Sequence, residues 1–304
     1  MSSFLITFIY ILLFILGSMV GSFLNVIILR SEKEKEIIKE PSHCDHCGYK
    51  LRFWENIPIL SYIFLWGKCS QCKKKISILN LFTEVLLGLL FALVFYRFLQ
   101  IPFYNTSVLI LEGWAMVVNF IPLFLWLIYV SILVLISIFD IRNLVVLDGF
   151  LFAGFFVGLI GEGALLLVNK FQPIMFFEFY NNWLGSVGFF FPRVLGIWSN
   201  VLGLIIGFLA IQIIVWATKG KAMGDGDPYI AGFVGFILGA PAVFVFLFLS
   251  FIVGGLISIM LILTGKKKMK QYVAFGPYLA LGGFMTFMWG EKLLQLYFNF
   301  LNII

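Results

Sequence analysis

Residues 115–140 read AMVVNFIPLFLWLIYVSILVLISIFD, a long stretch without a single charge that closes on an aspartate. A helix needs about 20 mostly apolar residues to cross the hydrocarbon core of a bilayer, so this stretch predicts a membrane span with an acid at its end. Working outward, comparable runs occupy 4–29, 79–98, 149–168, 199–217 and 276–299. The segment 228–264 is too long for one crossing and breaks naturally at Gly239-Ala240-Pro241, which gives two helices, the first of them short. The first run is too long and too uniform for a cleaved signal and lacks a basic start, so it is expected to be a retained span. The expected fold class is therefore an all-α polytopic membrane protein with about eight transmembrane helices. Its expected parts are a first helix (1–29), a polar loop (30–78) and a multi-helix membrane domain (79–304).

Composition supports this over the whole chain. Of 304 residues, 62% are apolar and only 12% charged, against about 45–50% and about 25% in soluble domains. With 21 basic and 15 acidic side chains the chain cannot build a polar skin, which excludes a soluble enzyme. The two histidines, His43 and His46, stand together among cysteines, so no distant imidazole is available for a histidine-based hydrolase. Basic residues accumulate on the cytoplasmic side of membrane proteins. With the N-terminus outside, 17 of the 21 Lys and Arg fall in segments 30–78, 139–148, 219–227 and 266–271, leaving Arg97, Lys170, Arg193 and Lys292. The +6 net charge thus reports orientation in lipid, and no nucleic-acid partner is expected. The aromatic segment 169–198 is expected at the outer interface.

All four cysteines lie in the polar loop, as Cys44-Asp45-His46-Cys47 and Cys69-Ser70-Gln71-Cys72. Two CxxC pairs at this separation have the spacing of a zinc ribbon, in which each tight turn supplies two thiolates to one tetrahedral ion. Two disulfides are the competing reading, but the charge pattern puts the loop in a reducing compartment. Such a loop has little core of its own, so a structural Zn2+ on Cys44, Cys47, Cys69 and Cys72 would supply much of its folding energy. A closed four-thiolate shell would leave the histidines as bystanders and the metal without a catalytic role.

Ionisable groups at membrane depth are costly and point to function. The sequence places Glu84, Asp140, Asp148, Glu162, Asp225 and Asp227 in or beside apolar runs. Asp140 ends one span and Asp227 closes a G-x-G-D run, Gly224 to Asp227, just before another, both on the assigned cytoplasmic side. Two carboxyls sharing a proton can act as general base toward water and general acid toward a carbonyl, which is the requirement of an aspartyl protease. The glycines of the run are expected to let the backbone turn and to let a peptide approach. A polar turn between helices is the plain alternative for this run taken alone. Asp148 reads as a helix N-cap or turn residue and Arg142 as an anchor of its loop.

These residues resemble the type IV prepilin peptidases, the bifunctional leader peptidase and N-methyltransferase family of aspartic membrane proteases. The likeness runs through Gly21-Ser22-Phe23-Leu24-Asn25-Val26 with Arg30, through SHCDHCGYKLRFWENIPILSYIFLWGKCSQC and Glu84, the block from Asp140 to Asp148, MGDGD ending at Asp227, and Phe275-Gly276-Pro277-Tyr278-Leu279-Ala280. The resemblance implies that Asp140 and Asp227 are the catalytic pair, with Asp225 the variable position, and that the four cysteines are the zinc ligands. It further implies cleavage of the short basic leader from prepilins or pseudopilins at the cytoplasmic face of a bacterial inner membrane. Methylation of the new N-terminus from S-adenosylmethionine would follow. Leu147 stands where the family usually has proline, Tyr229 where lysine is common, and 169–198 is longer and more aromatic than usual. A signal-peptide-peptidase-like protease shares the G-x-G-D logic but leaves the CxxC pairs unexplained and expects Pro-Ala-Leu where this chain has Pro277-Tyr278-Leu279. A proton-coupled transporter would place its acids nearer the midplane and show related halves. A non-catalytic assembly protein would be expected to have lost one aspartate.

Overall fold

The computed structural model describes residues 3–32, 42–44, 46–100, 120–145, 148–171, 196–220, 223–265 and 274–300. Outside them lie most of the charged SEKEKEIIKE run, most of the aromatic 169–198 segment and the lysines at 266–270. In chain order the helices are α1 (Ser3–Glu32), a 3-10 turn (Phe53–Asn56), α2 (Leu60–Phe64), α3 (Ile78–Gln100), α4 (Ile121–Asn143), α5 (Asp148–Phe171), α6 (Gly196–Thr218), α7 (Asp227–Leu238), α8 (Ala240–Leu263) and α9 (Gly276–Phe300). Each of the eight apolar runs falls in its own helix, α1 or one of α3 to α9, so the protein is an all-α polytopic membrane protein. Five of these helices are long and apolar enough to cross a bilayer over the described residues, while α7 is a shorter apolar helix.

The exposed faces are as apolar as the buried ones, which a lipid solvent allows. On α8, Phe244, Phe248, Ile252, Leu256 and Met260 recur every fourth position and all face outward. Val243, Phe246 and Ser250 lie on the buried face of the same helix. With no hydrophobic driving force between helices in lipid, close approach of small residues does the packing.

The chain divides into two compact units, Met1–Phe98 and Leu99–Ile304. In the first, Gly17 and Gly21 of α1 lie against the backbone of α3. A Cβ at Gly21 would come within 2.8 Å of Glu84 Cα, and one at Gly17 within 2.9 Å of Gly88 Cα. One turn further, Thr83 Oγ1 donates to Asn25 Oδ1 at 2.7 Å, and Asn25 Nδ2 donates to the Asn80 carbonyl at 3.1 Å. Paired polar groups of this kind add to interhelical contact at membrane depth.

In the second unit α7 is the most enclosed helix, with ten of its twelve residues buried, and α4 is buried along one face. Helix α4 packs on α5 and α9, and Trp126 of α4 stacks on Phe287 of α9 with centroids 3.6 Å apart. Helices α6 and α7 meet through Gly203 and Gly207 on one side and Ala231 and Gly235 on the other. A side chain at Gly203 would strike the Gly235 carbonyl, and one at Gly207 the Ala231 carbonyl. The predicted break between α7 and α8 occurs at Gly239, whose φ of 79° is open to glycine and strained for other residues.

Candidate functional site

The aspartate site is built from three helix ends in the second unit. Asp140 lies in the last turn of α4, which closes through Leu144 in a left-handed conformation, its N–H donating to the Asp140 carbonyl at 2.9 Å. The C-terminal end of a helix dipole opposes a carboxylate, but the Asp140 side chain reaches the opposite kind of end. Its Oδ2 accepts from the N–H of Gly276, the first residue of α9, at 3.0 Å. Asp227 is the first residue of α7 and its Oδ2 accepts from the Gly224 N–H at 2.9 Å. Both side chains are buried, 6% and 5% exposed, and the two carboxyls are close enough to interact electrostatically. One oxygen of each is thus held by a glycine N–H, and among the described residues neither Oδ1 has a hydrogen bond.

Nothing in the sequence marks Gly276 itself as part of the site, only the Phe-Gly-Pro-Tyr block in which it stands. A Cβ at Gly276 would lie 2.6 Å from Asp140 Oδ2 and 2.9 Å from Ile230 Cδ1, so the carboxylate occupies the space where any other residue would carry its side chain. The G-x-G-D run forms the expected turn, with the Asp227 N–H donating to the Gly224 carbonyl at 3.2 Å. Gly226 has φ −83°, and a Cβ at Gly224 would meet nothing nearer than Asp227 Oδ2 at 3.7 Å. The turn does not demand glycine at either position, and the space beside Gly224 is open.

The other acids separate from this pair. Asp225 is exposed in the turn before α7. Asp148 starts α5 and Glu162 lies within it, with side chains outside the described set. Arg142 is exposed at the end of α4, as an anchoring residue would be. Glu84 belongs to the first unit, buried in α3, where Oε2 accepts from the Ile59 N–H at 2.7 Å.

The cysteines form a second centre within the first unit. Their four sulfurs lie within 4.8 Å of one another, and neither histidine joins them. The two CxxC turns repeat each other. Cys44 N–H donates to Tyr49 O and Gly48 N–H to Cys44 O; Cys69 N–H donates to Lys74 O and Lys73 N–H to Cys69 O. The residue after each pair, Gly48 (φ 69°) or Lys73 (φ 58°), is left-handed. Backbone N–H groups of Cys72 and then Gln71 directed at its sulfur lower the Cys69 thiol to about 7. All four thiols are free. The Cys44 and Cys72 sulfurs stand 3.8 Å apart, far from the ~2.05 Å of a disulfide. That is about the edge of a tetrahedron with Zn–S bonds of ~2.3 Å. The donor set and its shape fit a closed metal site.

Comparison with known proteins bears on both centres. Residues 15–98 match the family described as the bacterial peptidase A24 N-terminal domain, ending where the first compact unit ends. Over its length the chain is similar to proteins named prepilin leader peptidase/N-methyltransferase. That of Pseudomonas putida is 29% identical, covering 92% of this chain and 90% of the relative. That of Bacillus subtilis is 27% identical, covering 94% and 96%, and that of Stutzerimonas stutzeri 26%, covering 95% and 93%. No solved structure matches.

Proposed function

We propose, on the premise that a chain aligned over most of its length with prepilin leader peptidase/N-methyltransferases is a relative of those enzymes, that this protein cleaves the leader from prepilins or pseudopilins with Asp140 and Asp227. The observation that carries the reading is the meeting of two buried carboxyls from α4 and α7, each with one oxygen tied to a glycine N–H. Two neighbouring carboxyls in a site of low polarity share a proton, because both cannot ionise at once. The ionised member takes a proton from water as it attacks the scissile carbonyl, and the protonated member gives its proton to the carbonyl oxygen. Collapse of the tetrahedral intermediate returns a proton to the leaving amine and restores the pair. The bound Oδ2 atoms fix the carboxyl planes, leaving Oδ1 of each for water and the shared proton.

The site lies at the cytoplasmic face of the bacterial inner membrane in this reading, since the three helix ends that form it adjoin basic segments, with Arg142 after α4, Lys219 and Lys221 before α7 and four lysines before α9. A basic leader held there by the same rule would present its junction to the aspartates. The freed N-terminus would then take a methyl group from S-adenosylmethionine, the sulfonium sulfur leaving as the thioether and the amine losing a proton. Zn2+ held by Cys44, Cys47, Cys69 and Cys72 would cross-link the two loop turns and stabilise their fold.

The test is cleavage of a prepilin-like substrate by the wild type, Asp140→Asn, Asp227→Asn and Asp225→Asn in membranes or detergent. Either of the first two changes is expected to abolish cleavage and the third to retain it. Full activity of Asp140→Asn or Asp227→Asn would sink the mechanism. Mass spectrometry of the processed N-terminus decides methylation by the presence or absence of one added CH2.

A further inference from the structure

The polar loop of the first unit carries an apolar face that none of the described residues covers. Leu60, Ile63 and Phe64 of α2 are 49%, 56% and 76% exposed, and Trp66 just after it is 88% exposed. In a soluble domain such a patch would mark a protein interface. Three observations place it against lipid. First, α1 and α3 bracket the loop and are both candidate spans, so the loop leaves and re-enters the bilayer on one side. Second, the Ile59 N–H is bonded to Glu84 Oε2 at 2.7 Å. Glu84 lies six residues beyond the first residue of α3, about 9 Å along the helix axis at ~1.5 Å per residue. The chain entering α2 is therefore drawn to the depth of the second turn of a spanning helix. Third, Lys73, Lys74 and Lys75 are exposed immediately before α3 begins, and the bridge between Lys68 and Lys75 joins to them an exposed fourth cation two residues after Trp66. Aromatic rings bordered by lysines are the residues of a membrane interface, with cations that meet anionic headgroups.

The backbone is held under strain to reach this position. Ile59 has φ 63° and ψ −54°, and the Leu60 N–H donates to the Pro58 carbonyl at 2.6 Å. This is a γ-turn of the rare positive-φ form, on a β-branched residue for which such a conformation is a real outlier. The bond to the buried Glu84 carboxylate opposes that strain.

We infer that residues 60–66 form an interfacial anchor, seating the cysteine-bearing loop in the headgroup–acyl boundary of an anionic leaflet with Lys68, Lys73, Lys74 and Lys75 among the headgroups. A protein partner on the same patch is the competing occupant. A fluorescent amino acid placed in turn at Phe64, Trp66 and, as control, Gln71 tests this in the full-length protein in nanodiscs, with zinc content as the check that each labelled loop is folded. Brominated acyl chains are expected to quench positions 64 and 66 roughly twofold or more while aqueous iodide quenches neither, and position 71 should behave oppositely, as burial ~5–10 Å into the boundary requires. Quenching at 64 and 66 should also be stronger with phosphatidylglycerol than with phosphatidylcholine alone. Iodide quenching at 64 and 66 would put the patch in water, and quenching by neither agent would put it under protein; both overturn the inference. Equal quenching in the two lipids would overturn its anionic component.

Discussion

The change Gly276→Ala tests the aspartate site without touching either carboxyl group. The added methyl would sit 2.6 Å from Asp140 Oδ2, where ordinary contact begins at 3.4 Å, so the carboxylate or the start of α9 must move by about 0.8 Å. A misplacement of about 1 Å at reacting groups can reduce rate ~100-fold, so kcat/KM is expected to fall about 10- to 100-fold, or ~1.4–2.7 kcal/mol in barrier. The same methyl would also lie 2.9 Å from Ile230 Cδ1, and crowding of this kind costs about 1–3 kcal/mol of stability by itself. The second change Ile230→Val separates the two effects, because it removes that Cδ1 and leaves Asp140 as it was. The assay is cleavage of a prepilin-like substrate under steady-state conditions, with thermal unfolding in detergent measured alongside. The double variant should recover part of the stability and little of the activity. Wild-type cleavage by Gly276→Ala, or full rescue of cleavage by Ile230→Val, would refute the positioning role of Gly276.

Gly224→Ala should leave unfolding unchanged, since a Cβ there makes only an ordinary 3.7 Å contact; a loss of cleavage with intact stability would locate substrate approach at this face. The purified protein should hold about one zinc, lost in Cys44→Ser or Cys69→Ser, and metal analysis that finds none in the wild type would contradict the assignment. Metal release to a chelator should increase as pH falls, because thiolate ligands must be deprotonated to bind and acid returns their protons; release independent of pH would speak against thiolate coordination. Glu84→Ala should expose the Ile59 amide to hydrogen exchange and destabilise the loop by about 1–3 kcal/mol through loss of a buried acceptor, whereas Glu84→Gln, which keeps an acceptor oxygen, should exchange more slowly than the alanine variant. Gly203→Leu should separate α6 from α7, lowering the unfolding temperature and removing cleavage together, since Asp227 begins α7.

The helices were legible because lipid imposes a length and a composition on every span. The break at Gly239 was legible too, since Gly-Ala-Pro combines a left-handed residue with a residue suited to a helix start. The cysteine centre was legible because both CxxC turns are local, and the whole cluster needs only one further closure in space. What the sequence could not display were contacts made by backbone. The Gly276 N–H meets Asp140 across 136 positions, and no side-chain pattern records a donor that every residue but proline carries. The γ-turn at Ile59 was hidden for a related reason, because isoleucine is a residue that local propensity would exclude from it. The G-x-G-D run turns as its residues suggest, the Asp227 N–H donating to the Gly224 carbonyl, but through an ordinary negative φ at Gly226 that residues other than glycine also adopt.

The shortness of α7 has a consequence for the depth at which Asp227 sits. Its 12 residues extend only about 18 Å at ~1.5 Å per residue, against a hydrocarbon thickness of ~30 Å. Ten of those residues are buried against neighbouring helices, so the shortfall of about 12 Å is met by protein rather than by lipid, and an end of α7 can lie below the headgroups inside the bundle. Asp227 occupies one such end. A polypeptide whose own helix spans the full thickness would then meet the carboxyl pair at a depth where its first turns are still within lipid, and would have to unwind them to be cut.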